Sequence, residues 1–240
     1  MPELKLPPVA VVLPGTGSDA SFAARAFTEA FSQVGVHTIA VEPDPRRVVG
    51  SYLDALGDAA TEHGSILACG VSIGAAVALS WAAEHPTRAA GVLAALPAWT
   101  GSPVDAPAAL SAAYTASRLR EDGLEAVTAA MIETSPAWLG GELERSWRSQ
   151  WPHLPLALDE ASGYGGLTVA QMSLLDVPVG ICAATDDPVH PHRVALEWAA
   201  ALPVSAVATT TLDAIGADAG VLGRTCLSAL TDAVSQRDAD

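Results

Sequence analysis

A serine bracketed by glycines, Gly70-Val71-Ser72-Ile73-Gly74, is the stretch with the clearest chemical content. The apolar residues 66–69 precede it and read as a buried strand. Residues 75–83, rich in Ala and free of Gly and Pro, follow and read as a buried helix. A Ser on a sharp strand-to-helix turn exposes its hydroxyl and faces the free N–H groups and positive dipole end of the helix. Gly70 and Gly74 let strand and helix approach without a Cβ clash. The chemistry this implies is nucleophilic attack, with negative charge developing beside the helix N-terminus. A turn that merely contains Ser is the plainer alternative; the strand before it and the helix after it favour the nucleophile.

Periodicity supplies the elements that must position Ser72. Residues 9–13 form a continuous apolar run, the mark of a strand buried on both faces. A loop, 14–19, follows, and Ser18 or Asp19 can cap a helix over about 20–33, with Phe22, Ala26, Phe27, Ala30 and Phe31 at helical spacing. Next come a strand at 37–41 and a helix over 46–62, with Val49, Leu53, Leu56 and Ala60 on one face. The Ser72 unit follows, then a strand at 90–96. Alternation then stops. Residues 107–120, 123–133 and 141–150 read as helices, with shorter pieces at 155–161 and 168–174. It resumes with a strand at 177–184, a helix at 192–202, a strand at 205–212 and a final helix at 219–235; the tail 235–240 reads as disordered.

The expected fold is therefore α/β: a mostly parallel sheet of about six strands, helices on both faces, and a helical insertion after the fourth strand. Residues 1–100 and 176–240 would form the core domain and 101–175 the insertion. Placed at a strand's carboxyl end, the insertion would overhang the crevice where open α/β sheets bind ligands. Its Trp and Met residues either line that crevice or hold the insertion to the core.

Composition excludes several roles. Half of the 240 residues are hydrophobic and 16% charged, so a large core is readily filled. A formal net charge of −15 argues against nucleic acid and anionic membrane as partners and reads most simply as solubility. Cys69, Cys182 and Cys226 lack metal-ligand spacing, and their odd number suits a reducing compartment. Residues 1–8 lack the apolar run of a signal peptide, and no stretch reads as a membrane span, so a cytoplasmic protein is expected. Gly15-Thr16-Gly17-Ser18 lacks the spacing and the Lys of a phosphate loop. Asp213, Asp218 and Asp232 are too scattered for a metal site.

Gly70 to Gly74, the following Ala-Ala-Val-Ala-Leu-Ser-Trp-Ala-Ala-Glu-His-Pro86 and the run 90–96 resemble the α/β-hydrolase superfamily, and in particular small actinobacterial-type hydrolase-like proteins. The resemblance extends over most of the chain and implies an N-terminally shortened form of that fold, with the helical block as its cap. Pro14-Gly15-Thr16-Gly17 looks like the family's oxyanion loop, with Pro14 where the family usually has His. Residues 185–191, Thr-Asp-Asp-Pro-Val-His-Pro, look like its acid loop. The resemblance implies Ser72 as nucleophile, the N–H groups of Thr16 and Ile73 as oxyanion donors, and Asp187 rather than Asp186 as the acid.

One departure stands out. Where the family carries its catalytic His, after the last strand, this chain has Ala217 and Asp218, and no His follows His192. A Ser hydroxyl needs a base to attack. Of the other histidines, His37 starts a strand, and His63 and His85 close helices. His153, within Trp151-Pro152-His153, could reach down over Ser72. His190 follows Asp187 by three residues and is the best candidate for a displaced base. Gly15, Trp99, Trp138, Trp151 and His153 are the candidate substrate contacts. The expected activity is hydrolysis of a small-molecule carboxylic ester or thioester through an acyl-enzyme at Ser72, with no cofactor and no metal. Two alternatives stay open: a hydrolase-fold protein of impaired turnover that binds a small apolar or acyl ligand, and an acyltransferase using the same Ser.

Overall fold

The computed structural model describes residues 6–237. In chain order the elements are β1 (Val9–Leu13), α1 (Ala20–Ser32), β2 (His37–Ala40), α2 (Val48–His63), β3 (Ile66–Val71), α3 (Ile73–Glu84) and β4 (Ala89–Ala95). Then come α4 (Pro107–Thr134), α5 (Ala137–Gln150), α6 (Leu154–Ser162) and α7 (Val169–Met172). The chain closes with β5 (Val179–Ala184), α8 (His192–Ala201), β6 (Ser205–Thr210), α9 (Leu212–Ala217) and α10 (Val221–Arg237).

The strands make one six-stranded sheet in the order β2-β1-β3-β4-β5-β6, and every neighbouring pair is parallel. Strands β1, β3 and β5 are buried along their whole length, which is why they read as unbroken apolar runs. Alternate residues face opposite layers. Val9, Val11 and Leu13 meet the layer that holds Tyr52 and Leu56 of α2, Trp81 of α3 and Trp198 of α8. Ala10 and Val12 meet the layer of Phe22, Phe27 and Phe31 of α1 with Leu222, Cys226 and Leu230 of α10. No helix among the described residues is long and apolar enough to cross a membrane.

The strand order sets where a site can form. The chain leaves β1 towards β2 on one side and returns to β3 on the other. Between β1 and β3 the connections diverge, which opens a crevice at the carboxyl ends of the strands. The segments leaving those two strands are the loop 14–19 and Ser72 itself.

Between β4 and β5 the described elements are all helical. Within α4, Gly123 (φ 80°, ψ 171°) breaks the helical path and divides it near the boundary between the two expected helices. Other details differ from the reading of the sequence. The buried face of α2 is Val48, Tyr52, Leu56, Ala59 and Ala60, whereas Leu53 is 37% exposed. The helix is rotated because Tyr52 turns inward to donate from its hydroxyl to Pro14 O at 2.9 Å. Glu160 of α6 also accepts from the first amides of α2, Val48 and Val49, at 2.6 and 3.2 Å. The last strand stops at Thr210, and Thr211 caps a short helix, α9, that apolar pattern alone did not reveal. Helix α10 continues to Arg237, so 235–237 are helical; the remainder of the expected disordered tail lies outside the described residues.

Close packing of α10 on the sheet depends on one small residue. A Cβ at Gly180 in β5 would lie 2.2 Å from Cys226 O and 2.5 Å from Leu230 N. Backbone cannot yield there as a flexible side chain would. Gly180→Val should therefore lower stability by about 3 kcal/mol or more, read as a fall in the urea midpoint. A midpoint equal to wild type would contradict this packing.

Candidate active site

Ser72 links β3 to α3 with φ 56° and ψ −116°, a left-handed conformation that a non-glycine residue rarely adopts. Its N–H donates to Ala95 O of β4 at 2.9 Å, and its carbonyl accepts from Ala76 N at 3.2 Å. The flanking glycines permit the turn. A Cβ at Gly70 would stand 2.2 Å from the Gly74 carbonyl carbon, and one at Gly74 would stand 2.4 Å from Leu13 O. Strand β3, helix α3 and the end of β1 therefore meet at backbone distance, which only Gly allows. Ser72 is 9% exposed.

The loop after β1 lies directly against this turn. A Cβ at Gly15 would be 3.6 Å from Ser72 Cβ. Ser18 N–H donates to Gly15 O at 3.0 Å, and Gly17, third in that turn, has φ 72°, as a type II turn requires. Ile73 is the first residue of α3, so its N–H has no acceptor within its own helix. Thr16 and Ile73 thus sit on the two backbone segments that converge at Ser72.

Asp187 and His190 reach the same point from the loop after β5. His190 Nε2 is 2.9 Å from Ser72 Oγ, although the residues are 118 positions apart in sequence. His190 Nδ1 is 2.8 Å from Asp187 Oδ2. The other carboxylate oxygen, Oδ1, accepts from the backbone N–H of Val189 at 2.8 Å and of His190 at 3.1 Å. Acid and imidazole therefore belong to one tight turn. Burial pushes the Asp187 carboxyl up, but the His190 ring and the two amides outweigh that and hold it below its ordinary value. Both side chains are shielded, with 16% of His190 and 7% of Asp187 exposed. Asp186 plays a different part: its Oδ1 accepts from Leu212 N at 2.8 Å and ties this loop to the start of α9.

The remaining candidate residues divide. Gly15 stands beside Ser72, as described. Trp99 is buried in the core; its indole N–H donates to Tyr164 O at 3.1 Å and its carbonyl accepts from Trp198 Nε1 at 3.1 Å. Trp138 stacks on Phe22 at 6.4 Å and covers Gly216. It lines a cavity of about 380 Å³ with Arg25, Glu142 and residues 215–219, and that lining does not include Ser72, Asp187 or His190. Trp151 is 39% exposed. His153 precedes α6; its N–H donates to Gln150 O at 2.9 Å and its carbonyl accepts from Leu156 N at 2.9 Å. Ala217 and Asp218 end α9, where Asp218 pairs with Arg224.

Sequence reading missed the residues that hold the loop 14–19. Tyr52 fixes its start through Pro14 O. From α5, Arg145 binds Asp19, Ser146 donates to Gly17 O, and Gln150 donates to Ser18 O at 2.9 Å. Trp147 packs so closely on Gly17 that a Cβ there would lie 2.7 Å from its indole nitrogen. The α5 residues are 126 to 132 positions from their partners in sequence, and no local pattern links them.

No protein-family profile and no curated protein matches the sequence. Solved structures do match. MenH from S. aureus superposes with TM-score 0.70 at 18% identity, covering 95% of this chain and 95% of that one. A hydrolase from Oleispira antarctica gives 0.70 at 11% identity, with 95% and 89% covered. A thermophilic esterase from Thermogutta terrifontis gives 0.64 at 17% identity, with 98% and 89% covered. The chain has the α/β-hydrolase fold.

The depressed Asp187 pKa has a sign. A carboxylate held below its unfolded value, about 3.9, adds stability that is complete above that value and lost as pH falls through the folded pKa. Asp187→Asn should thus be less stable than wild type at pH 7, and the gap should narrow on acidification below about pH 4. Urea unfolding at a series of pH values measures it; a gap independent of pH would show that the carboxylate charge is not what His190 and the amides hold.

Proposed function

We propose that the protein is a serine hydrolase acting on a small carboxylic ester or thioester through an acyl-enzyme at Ser72. The observation that carries this reading is the unbroken chain of contacts from Ser72 Oγ to His190 Nε2 at 2.9 Å and from His190 Nδ1 to Asp187 Oδ2 at 2.8 Å. His190 takes the Ser72 proton as Oγ attacks the carbonyl carbon, and Asp187 orients the imidazole and stabilises its charged form. The N–H groups of Thr16 and Ile73 receive the oxyanion. Collapse of the tetrahedral intermediate expels the alcohol or thiol, which takes the proton from His190. Water, activated in turn by His190, then releases the acid.

The impaired-turnover alternative rested on the missing His after the last strand. His190, within reach of Ser72 from a different loop, supports the active enzyme over that alternative. Acyl transfer uses the same steps, with another acceptor in place of water. In this reading residues 101–175 form a cap over the crevice, and the three free, buried cysteines suit a reducing cytoplasm. The likeness to solved esterases and hydrolases adds weight to the class of reaction, though not to any one substrate.

A fluorophosphonate probe should label the wild type at Ser72, and Ser72→Ala should abolish labelling. His190→Ala should lower ester turnover by about 10⁴-fold or more while thermal unfolding shows the protein still folded. A folded wild type that neither labels nor hydrolyses short p-nitrophenyl esters would defeat the proposal.

A further inference from the structure

Helix α5 takes hold of the loop 14–19 at successive residues. Ser146 and Gln150 are four apart and so share a helix face. Ser146 Oγ donates to Gly17 O, and Gln150 Nε2 donates to Ser18 O at 2.9 Å. Trp147 and Leu154 pack over Gly17. Arg145 binds Asp19 with both Nη2 contacts at 3.0 and 2.9 Å, and Asp19 Oδ1 also accepts from Phe22 N at 2.9 Å to cap α1. Ser146, Gln150 and Trp147 are buried, at 1%, 4% and 5% exposed, whereas the Arg145 side chain is 45% exposed.

The peptide geometry shows what such a hold achieves. In a trans peptide the C=O and N–H point in opposite directions. Ser18 N–H donates to Gly15 O, and Gly15 O shares its peptide plane with the Thr16 N–H. Fixing the Gly17 and Ser18 carbonyls fixes Ser18, which fixes the Gly15 carbonyl, which sets the direction of the Thr16 amide. The grip engages carbonyl edges, and none of these bonds uses the Thr16 N–H.

We propose that Ser146 and Gln150 of the helical block are positioning residues for the oxyanion hole, setting the Thr16 amide through the Gly15–Ser18 turn. This rests on the serine-hydrolase reading above. The block is then part of the catalytic framework as well as a cover. It follows that loosening α5 acts on the chemical step, because a donor displaced by a fraction of an ångström serves the transition state poorly while ground-state binding changes little.

The test compares wild type, Ser146→Ala, Gln150→Met and Ser146→Thr, which keeps the hydroxyl. Hydrolysis of p-nitrophenyl acetate, fluorophosphonate labelling and amide hydrogen exchange are the readouts. Ser146→Ala and Gln150→Met should each lower kcat by about 10- to 100-fold, with KM within about twofold and labelling slowed in parallel. Amides of residues 15–19 should exchange faster while those of α3 keep their protection. Ser146→Thr should retain most of the activity. Should Ser146→Ala fail to fold, Gln150→Met at the helix end carries the same comparison. A folded variant with unchanged kcat, raised KM alone, or unchanged loop exchange overturns the inference. Wild type that is never labelled at Ser72 overturns the hydrolase reading and this inference with it. Labelled wild type with undiminished variants overturns this inference only.

Discussion

The backbone of Ser72, at φ 56° and ψ −116°, is the constraint on which the site depends. Holding a non-glycine residue there costs roughly 1–3 kcal/mol, so its surroundings must over-determine it. They do so by backbone contact. Gly70, Gly74 and the Leu13 carbonyl meet within distances that exclude any Cβ. The parallel pairing of β3 with β1 and with β4 brings those segments together and supplies the Ala95 carbonyl that holds Ser72 N–H. The same turn that strains Ser72 lifts its hydroxyl out of the sheet and towards the end of another strand's loop.

That loop supplies acid and imidazole together. In Asp187-Pro188-Val189-His190 the carboxylate accepts two backbone amides with one oxygen and the ring of His190 with the other. Its own turn therefore fixes the side chain of His190, without help from a second loop. The order β3-β4-β5 places this turn two strands over from Ser72, with β4 between, so it must cross the end of β4 to arrive. The chain after β6 has another task. Its short helix α9 packs Ile215 into the core, lays Gly216 against Trp138 and pairs Asp218 with Arg224.

The helical block between β4 and β5 is bound to the core by polar groups at several places. Glu160 accepts from the N-terminal amides of α2, and α5 grips the loop after β1. Tyr52 holds the same loop from the opposite layer, and burial pushes its phenol up so that it stays a neutral donor. Buried polar contacts of this kind are costly to break singly, since each leaves a desolvated partner behind. They favour a block that stays seated on the sheet over one that swings freely.

Much of this was legible in the sequence. Unbroken apolar runs at 9–13 and 66–69 marked strands buried on both faces because the periodicity of burial is local. Gly70 to Gly74 located the turn because only glycine survives that approach. The interruption of alternation after residue 100 marked the helical block for the same reason. Tertiary structure alone decided what depends on reach. Ser72 and His190 are 118 residues apart, and nothing in either segment encodes their 2.9 Å separation. Trp99 and Trp138 carried the composition of a ligand pocket, but packing took Trp99 into the core and set Trp138 against Gly216. Ser146 and Gln150 carried no signal, since a hydroxyl and an amide on a helix read as surface until another loop's carbonyls arrive. Patterns along a chain report what each segment buries; which side chains meet is set by how the strands order themselves in the sheet.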